Sequence, residues 1–310
     1  MVEHVGPEAT VPVMATPSEL GPWIDRRVIA YAHQGGAWEG PSSTLHAIRQ
    51  ALEVGATAIE LDVHATADGH LVVSHDPTVD RTTDATGEIA SLTLDEVRRL
   101  DNAYWWAPGA DVTPGLAPGD YPFRGRAPDD HDFRVATLDE VLEAFPGTVL
   151  NLDIKRTAPD VEPYEEVLAR TLVDHGRSDD VIVASFLDAA TDAFSRVAPD
   201  IPTSAGTVTT AEFFRSVQQG EAPATMRHVA LQVPATYAGV QLVDERFVEV
   251  AHGMGLAVHV WTIDEEDEME RLVGLGVDGV ITDRPSVLAA LLERRGATWQ
   301  PRGAAGGGGR

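Results

Sequence analysis

The chain of 310 residues contains no cysteine, which excludes disulfide bonds, thiolate metal ligands and a cysteine nucleophile. Basic residues are scarce: 23 Lys and Arg stand against 49 Asp and Glu, for a formal net charge of −26. We therefore expect neither a nucleic-acid partner nor electrostatic docking to anionic lipid. A small anionic substrate stays compatible with this composition, because a bound cation reverses the local potential.

Long apolar runs are also missing. No uncharged apolar run reaches the roughly 18 residues of a membrane-spanning helix. The opening residues MVEHVGPEATVPVMATPSEL lack the apolar centre of a signal peptide. We expect a cytoplasmic protein without an integral membrane segment. Its predicted organisation is an N-terminal extension (1–24), a single domain (25–295) and a flexible Gly-rich tail (296–310).

Short runs rich in Val, Ile and Ala are what the chain does contain, with helical patterns between most of them. The nine runs are VIAYAH (28–33), TAIELDV (57–63), HLVVSH (70–75), TVLNLDIK (148–155), VIVASF (181–186), IPTSAG (201–206), VALQVP (229–234), AVHVWTI (257–263) and DGVITD (278–283). Buried, β-branched strands that alternate with helices predict a parallel sheet covered by helices.

The second and third runs are too close together for a helical crossover between parallel strands. Asp68 and Gly69 lie between them and predict a hairpin, so the third run folds back as an antiparallel arm. Eight parallel strands remain, which is the number in a TIM barrel. An open, doubly wound sheet is the alternative, although no Gly-rich dinucleotide loop follows the first strand.

A long connection separates the third and fourth runs. Its central part, residues 101–135, is rich in Pro, Gly and aromatic residues, and we interpret it as an irregular insertion before the third barrel strand. The insertion is either a lid or binding loop, or a passive excursion. Its aromatic residues either line an apolar entrance or form a small core of their own: Tyr104, Trp105, Trp106 and Phe123.

Acidic residues lie within the predicted second and fourth runs. Glu60 and Asp62 are two apart on one strand and share a face, and Asp153 and Lys155 repeat this pattern on the next barrel strand. Because burying unpaired carboxylates is costly, three of them at neighbouring strand ends favour a divalent cation with oxygen ligands. The alternative is a set of structural salt bridges, for example between Lys155 and Glu60.

Two histidines end predicted strands at the same edge. His33 closes the first run, and the hairpin returns His75 to the level of the acids, because the turn is about equally far from Asp62 and from His75. Two histidines beside a cation suit general acid–base catalysis on a phosphate ester. A single histidine at a strand end is more often structural.

The segment AHQGG…PSSTLHAIRQALEVGATAIELDVHATADGHLVVSHDPTVDRTT (32–83) resembles the glycerophosphodiester phosphodiesterase family of the PLC-like phosphodiesterases. VHVWTID (258–264) and GVDGVITDRP (276–285) extend the similarity over roughly residues 28–292. The resemblance implies a TIM barrel, one divalent cation (Mg²⁺ or Ca²⁺, with Mn²⁺ possible), and hydrolysis of a small phosphodiester to an alcohol and a phosphomonoester such as glycerol 3-phosphate.

The resemblance also implies roles for individual residues. His33 and His75 match the catalytic histidines of the family, and Glu60 and Asp62 match two metal ligands. Asp153 stands where the family usually has a third ligand, Glu. Two further matches concern the substrate: Lys155 and Trp261 correspond to a phosphate-contacting lysine and an aromatic wall of the cleft.

The sequence departs from the family pattern next to the first histidine. Gln34 replaces the usual phosphate-binding Arg and cannot provide a charged, bidentate fork. Ser42 and Ser43 replace a Glu-Asn pair. We interpret the loss of both charges as one coupled change. Our hypothesis is that Arg124 or Arg126 of the insertion supplies the missing positive charge.

Three further functional interpretations stay open at this point. One is a lysophospholipase D-like enzyme, which an apolar entrance would favour. Another is a lyase that releases a cyclic phosphate. The third is a catalytically inert barrel that binds a phosphodiester, suggested by the lost Arg and Glu but opposed by the retained histidines and acids.

Overall fold

The computed structural model describes residues 23–297 and 299. Most of the predicted N-terminal extension and of the predicted Gly-rich tail lies outside these residues.

The described chain alternates strands with helices, as the runs predicted. The strands are β1 (Ile29–His33), β2 (Ala58–Ala65), β3 (Leu71–Val73), β4 (Val149–Ile154), β5 (Val181–Ala184), β6 (Ala230–Pro234), β7 (Thr236–Tyr237), β8 (Val240–Gln241), β9 (Ala257–Trp261) and β10 (Gly279–Thr282). The helices are α1 (Leu45–Glu53), α2 (Leu94–Val97), α3 (Leu138–Ala144), α4 (Glu165–Asp174), α5 (Asp188–Val197), α6 (Thr207–Gln219), α7 (Glu245–Gly253), α8 (Glu266–Leu275) and α9 (Pro285–Arg295).

Seven strands form a parallel sheet in the order β5-β4-β2-β1-β10-β9-β6. The two outer strands are joined through the segment 201–206, in which Thr203 bridges Val183 and Ser204 bridges Ala230, both in parallel. The predicted TIM barrel is therefore confirmed. The predicted strand at 201–206 is reduced to these two bridges, because Pro202 has no N–H to donate to a ladder.

The predicted hairpin is present between β2 and β3. The two strands pair antiparallel with Val63 opposite Val73, and Ser74 donates its backbone N–H to Asp62 O at 3.0 Å beyond the last pair. Gly69 has φ +81°, a left-handed conformation that glycine adopts without steric cost. The turn chemistry therefore fixes the register that returns the chain to the barrel mouth.

Alternation along the strands separates two layers of core. Odd positions of β2, such as Leu61 and Val63, pack outward against helices, in one cluster with residues of α1, α3 and α4. A second outer cluster covers β6, β9 and β10 with the helices of the other half. Tyr31 and Ile182 fill the barrel interior. Glu60 and Asp62, at even positions of β2, consequently point into the barrel.

The insertion 101–135 contains only short 3₁₀ turns and forms a small aromatic core. The rings of Trp106 and Phe123 stack with centroids 5.4 Å apart, and Phe133 is buried beneath them. This arrangement favours the interpretation of these aromatics as the insertion's own core. Across residues 23–297 and 299, no helix has both the length and the apolar character needed to cross a membrane.

Candidate active site

A cavity of about 810 Å³ opens at the carboxyl ends of the barrel strands. Seven of the nine predicted site residues line it, namely His33, Glu60, Asp62, His75, Asp153, Lys155 and Trp261. Carboxyl ends of barrel strands are where this architecture places its active sites. The structure thus brings the predicted acids, histidines and lysine into one cavity.

His33 ends β1 between two carboxylates. Strand register places it beside Glu60 of β2, and the neighbouring strand β10 ends next to Asp283. Its Nδ1 lies 2.7 Å from Asp283 Oδ1, and its Nε2 lies 3.8 Å from Glu60 Oε2. Asp283 therefore fixes the ring by its outer nitrogen and leaves Nε2 directed at the cavity.

The charge state of His33 depends on the carboxylates around it. Burial lowers the pKa of His33, but the hydrogen bond to Asp283 and the charges of Glu60 and Asp62 outweigh it and raise this pKa to about 9. The side-chain amide nitrogen of Gln34 lies 3.1 Å from His33 Nε2, and it can donate to this atom only when the ring is neutral. Neutralising Glu60 and Asp62 would remove one cause of the raised pKa and favour that neutral form.

His75 is held in the same way on the opposite side of the mouth. Its Nδ1 lies 2.7 Å from Asp76 Oδ1, which is the adjacent residue in the chain. The rings of His33 and His75 face each other edge to face with centroids 6.1 Å apart. The hairpin thus creates a pair of histidines, each with one nitrogen on a carboxylate.

The three acids lie on the two central strands of this half. Asp62 of β2 pairs in register with Asp153 of β4 and leaves Glu60 one step deeper. The Lys155 ammonium lies 2.7 Å from Asp62 Oδ1 and 3.0 Å from Asp153 Oδ2. The predicted alternative partner of Lys155, Glu60, forms no such close contact within the described chain.

The acids outnumber the cations in this cluster. Burial and the charge of Asp62 raise the pKa of Glu60 to about 8, and burial raises the pKa of Asp153 to about 6. Burial opposes the charged form of Lys155, but Asp153 and Asp62 hold its pKa above the usual range. Lys155 alone therefore does not compensate three buried carboxylates.

Two carboxylate oxygens point into the cluster without a partner. Asp62 Oδ2 and Asp153 Oδ1 are buried and accept no hydrogen bond from any described residue. Within the described residues, Glu60, Asp62 and Asp153 do not close around a single point as a preformed ligand set. Their hard oxygen atoms and unbalanced charge nevertheless fit a divalent cation such as Mg²⁺ or Ca²⁺.

Arg81 is a residue that the sequence reasoning missed. Its guanidinium donates to Asp76 Oδ2 at 2.9 Å, pairs with Asp111 of the insertion, and lies 3.5 Å from Gln34 Oε1. Arg81 thereby links the carboxylate behind His75 to the amide beside His33. The Arg of VDRTT, five residues after Asp76, was the available sequence signal.

The structure does not bring Arg124 or Arg126 to the cavity, contrary to our hypothesis for the missing charge. Arg124 stacks on the ring of Tyr121 at 3.5 Å and donates to Tyr104 O at 2.7 Å. Arg126 pairs with Asp130 at 2.5 Å. Arg81 is the guanidinium near Gln34.

The second half of the cavity is apolar. Trp261 ends β9 and meets Phe186 edge to face, with ring centroids 5.5 Å apart. Further apolar lining residues come from the loops after β5, from α6 and from the β7–β8 hairpin, and include Ala205, Phe214, Pro234, Tyr237, Val240 and Leu242. An apolar entrance was one of the two interpretations of the insertion's aromatic residues, and no sequence pattern predicted the apolar surface on this side of the cavity.

The floor between the two halves is polar but uncharged. Gln232 of β6 donates to Asn151 Oδ1 at 3.0 Å and contacts Nδ1 of His259 at 3.3 Å. Burial lowers the pKa of His259 to about 4, so this ring is neutral at pH 7. His259 lies beneath the cavity and is a structural histidine.

Solved structures share this fold. The glycerophosphoryl diester phosphodiesterase domain of a Mycobacterium tuberculosis protein has a TM-score of 0.70 and 22% identity, covering 86% of this chain and 99% of that domain. An Oleispira antarctica phosphodiesterase, in complex with the product sn-glycerol-3-phosphate, has a TM-score of 0.66 and 23% identity over 87% of this chain and 99% of its own.

Sequence comparison gives the family. A glycerophosphodiester phosphodiesterase of Caldanaerobacter subterraneus is 29% identical over 87% of this chain and all of the relative. Another, of Bacillus subtilis, is 30% identical over 84% of this chain and 85% of the relative. The family model "Glycerophosphoryl diester phosphodiesterase family" matches residues 33–287. The chain belongs to this family, and it is an enzyme, a phosphoric diester hydrolase.

Proposed function

We propose that the chain hydrolyses glycerophosphodiesters to an alcohol and glycerol 3-phosphate in a metal-dependent reaction that uses His33 and His75 as acid and base. The observation that carries the proposal is the facing pair of histidines, 6.1 Å apart, beside three buried carboxylates. The named activity of the relatives supports it, as does the glycerol 3-phosphate in the Oleispira antarctica neighbour.

The histidines supply proton transfer. Asp283 and Asp76 each hold a ring by Nδ1, so Nε2 is the atom available to the substrate. One histidine removes a proton from the attacking water while the other donates a proton to the leaving alkoxide oxygen, so the P–O bond to the alcohol breaks as the new one forms. Asp283 and Asp76 orient the two imidazole rings and favour the tautomer in which the proton of the neutral ring is on Nδ1.

Glu60, Asp62 and Asp153 would hold the divalent cation. When bound, such an ion stabilises the negative charge that develops on the non-bridging phosphate oxygens. Asp153 is one methylene shorter than the Glu usual in the family and reaches less far from β4. Lys155 would contact the phosphate, and the position of its ammonium between Asp62 and Asp153 supports this role.

Gln34 and Trp261 would complete the substrate contacts. The amide of Gln34 offers a neutral donor at the rim of the histidine pair in place of a charged fork. Trp261 forms the boundary between the charged half and the apolar half of the cavity. The phosphate is therefore held mainly by Lys155 and by the cation site.

Release of glycerol 3-phosphate from glycerophosphocholine tests the proposal. We expect metal-stripped protein to be inactive, Mg²⁺, Ca²⁺ or Mn²⁺ to restore turnover, and His33→Ala or His75→Ala to abolish it. His70→Ala is the matched control, because His70 lies in the exposed hairpin turn. Turnover without any added ion, or full activity of His33→Ala, would refute the mechanism.

The same reaction separates hydrolysis from cyclic phosphate formation. An adjacent hydroxyl of the substrate can replace water as nucleophile and give a cyclic phosphate. Phosphorus NMR of the early product distinguishes the two, and we expect the phosphomonoester to accumulate.

A lysophospholipid is the second candidate substrate, and the apolar half of the cavity favours it. The lining beyond Trp261 is predominantly apolar and lies next to the reacting centre. A site of this size can bury an acyl or other apolar group of the substrate. Choline release from lysophosphatidylcholine, compared with glycerophosphocholine at equal concentration, decides between the candidates. A higher kcat/KM for lysophosphatidylcholine would establish the lipid substrate.

A further inference from the structure

The segments that form the rim around the apolar half of the cavity contain no charged residue, in a chain with a formal charge of −26. The adjacent carboxylate of Asp188 accepts hydrogen bonds from the backbone N–H groups of Val208 and Thr209. No Asp, Glu, Lys or Arg occurs in 201–211 or in 229–243, or at 184–187 after β5. These segments supply three consecutive loops at the carboxyl ends of the strands. In contrast, 23% of the whole chain is charged.

The same loops expose large apolar side chains. Nine such side chains are exposed in the part of the chain that the structure describes, and five of them belong to these loops: Phe186, Leu187, Val208, Tyr237 and Val240. The β7–β8 hairpin projects Tyr237, which is 70% exposed, on a two-strand ribbon whose residues are all solvent-exposed. Apolar clustering of this kind marks an interaction surface rather than ordinary surface variation.

We propose that this rim, formed by residues 184–187, 201–211 (which include the first turn of α6) and 236–241, docks on the surface of an uncharged lipid aggregate. The proposal concerns a surface and does not depend on which phosphodiester is hydrolysed.

Charge selects the kind of lipid. The acidity of the chain opposes approach to an anionic bilayer, whereas a zwitterionic surface imposes no such penalty. The side chains of the rim segments can enter the headgroup region without desolvating ions, because the adjacent Asp188 carboxylate is already hydrogen-bonded to the backbone of Val208 and Thr209. Tyr237 is an aromatic residue with a polar end, the type that is enriched at membrane interfaces.

Continuity with the cavity favours lipid over a protein partner. Phe186, Tyr237 and Val240 belong both to the rim and to the cavity lining. A protein bound across these side chains would cover the cavity mouth. A lipid surface at the same place would instead present its own molecules to the opening.

Sedimentation of the full chain with phosphatidylcholine vesicles tests the proposal. Val208→Asp places one charge in the rim, and Val173→Asp on α4 is the matched control, since the two valines are 63% and 62% exposed. Neither valine lines the cavity. We expect Val208→Asp to reduce the partition coefficient about tenfold or more, from the cost of immersing a charge. The control should stay within about twofold.

Two additional measurements make the outcome decisive. Leu187→Ser, checked with both Asp variants by thermal unfolding, repeats the test without a new charge and should lower binding as well. Binding should be weaker on vesicles containing phosphatidylglycerol and should not fall in 0.5 M NaCl, because an apolar contact is not screened by salt.

Several results would overturn the proposal. The proposal is wrong if the wild-type protein does not sediment with phosphatidylcholine vesicles. It is also wrong if Val208→Asp and Val173→Asp reduce vesicle binding equally. A dimer that Val208→Asp dissociates would assign the rim to a second copy of the chain. Because sedimentation requires no turnover, inactivity toward glycerophosphocholine would refute the proposed function and leave this result unaffected.

Discussion

The two halves of the cavity are built from the same barrel and differ in what they bury. The strand ends of β1, β2 and β4 carry a histidine and carboxylates that form ion pairs with one another and with Lys155. The strand ends and loop residues of β5, β6 and β9 that line the cavity are apolar or uncharged. The charged half is suited to the reaction and the apolar half to the choice of alcohol. Four experiments test this division, in order of decreasing expected effect.

Asp62→Asn should have the largest effect. The change removes a buried carboxylate with an unpartnered oxygen from the proposed cation site. We expect kcat to fall by about 10³-fold or more, and the rise in melting temperature on adding Ca²⁺ to disappear, because ligand-induced stabilisation requires binding to the folded state. The measurements are glycerophosphocholine turnover and thermal unfolding with and without Ca²⁺.

The control for this change is Asp200→Asn, which alters an exposed carboxylate. It should keep both activity and the Ca²⁺ response. An Asp62→Asn protein that is still stabilised by Ca²⁺ would move the cation site away from the charged half.

Protonation of His259, beneath the cavity floor, should lower the free energy of unfolding at acidic pH. Its pKa is about 4 in the folded chain and about 6.5 when unfolded, so the unfolded state binds more protons between these values. The stabilisation is complete above pH 6.5 and is lost as the pH falls toward 4, by about 3 kcal/mol. Urea unfolding of wild type and His259→Asn at pH 7 and pH 4 measures the difference.

The Asn variant retains an oxygen acceptor for Gln232 but cannot titrate. Its free energy of unfolding should therefore fall less between pH 7 and pH 4. Identical acid sensitivity in the two proteins would show that the floor does not contribute a buried neutral histidine.

Arg81 should act through position rather than through direct chemistry. Its contacts with Asp76 and Asp111 tie His75 to the insertion. We expect Arg81→Met to lower kcat about 10- to 100-fold with a smaller change in KM, since a misplaced catalytic group costs turnover. Arg81→Lys should recover part of this loss, and Arg99→Met, on the exposed surface, should not reproduce it. Steady-state kinetics distinguish these results, and a pure KM effect would instead indicate substrate binding.

Trp261→Ala should have the smallest effect and should sharpen the contrast between the halves. We expect the ratio of kcat/KM for lysophosphatidylcholine to that for glycerophosphocholine to fall about tenfold, in line with the loss of one buried aromatic contact. Trp105→Ala changes a tryptophan of the insertion core and should leave the ratio intact. A lower ratio in Trp105→Ala would indicate that the apolar group of the substrate binds at the insertion.

The sequence was sufficient where local patterns determine geometry. Alternation on β2 predicted that Glu60 and Asp62 share one face, and the Asp68-Gly69 turn predicted the return of His75 to the mouth. Thr44, Thr137 and Asp244 begin helices as capping residues, which their hydrogen bonds to backbone N–H groups explain. The barrel was predicted from the count of eight parallel strands that alternate with helices.

The sequence was insufficient where contacts join distant segments. Arg124 was expected at the phosphate, but the aromatic rings of its own insertion offer it a closer and apolar partner surface. The link from Arg81 to Asp111 spans thirty residues that are largely irregular, and no hydrophobic periodicity in them predicts the contact. The apolar half combines loops from three strands, and composition does not reveal that they meet. The domain limits, the cytoplasmic location and the residue roles remain predictions.

The segment 201–206 closes the barrel with one bridged position on each side, Thr203 and Ser204, and two backbone hydrogen bonds to each neighbouring strand. In contrast, β2 and β4 share six paired positions. Local opening of a fold begins where the fewest backbone hydrogen bonds must break. We therefore expect the amide hydrogens of Ser204 and Ala205 to exchange with deuterium faster than the hydrogen-bonded amides of the other barrel strands. Ser204, Ala205 and Gly206 line the apolar half of the cavity. The part of the wall least protected from exchange would therefore be the part that contacts an apolar group of the substrate. This half of the cavity can then widen while the histidines and acids stay fixed.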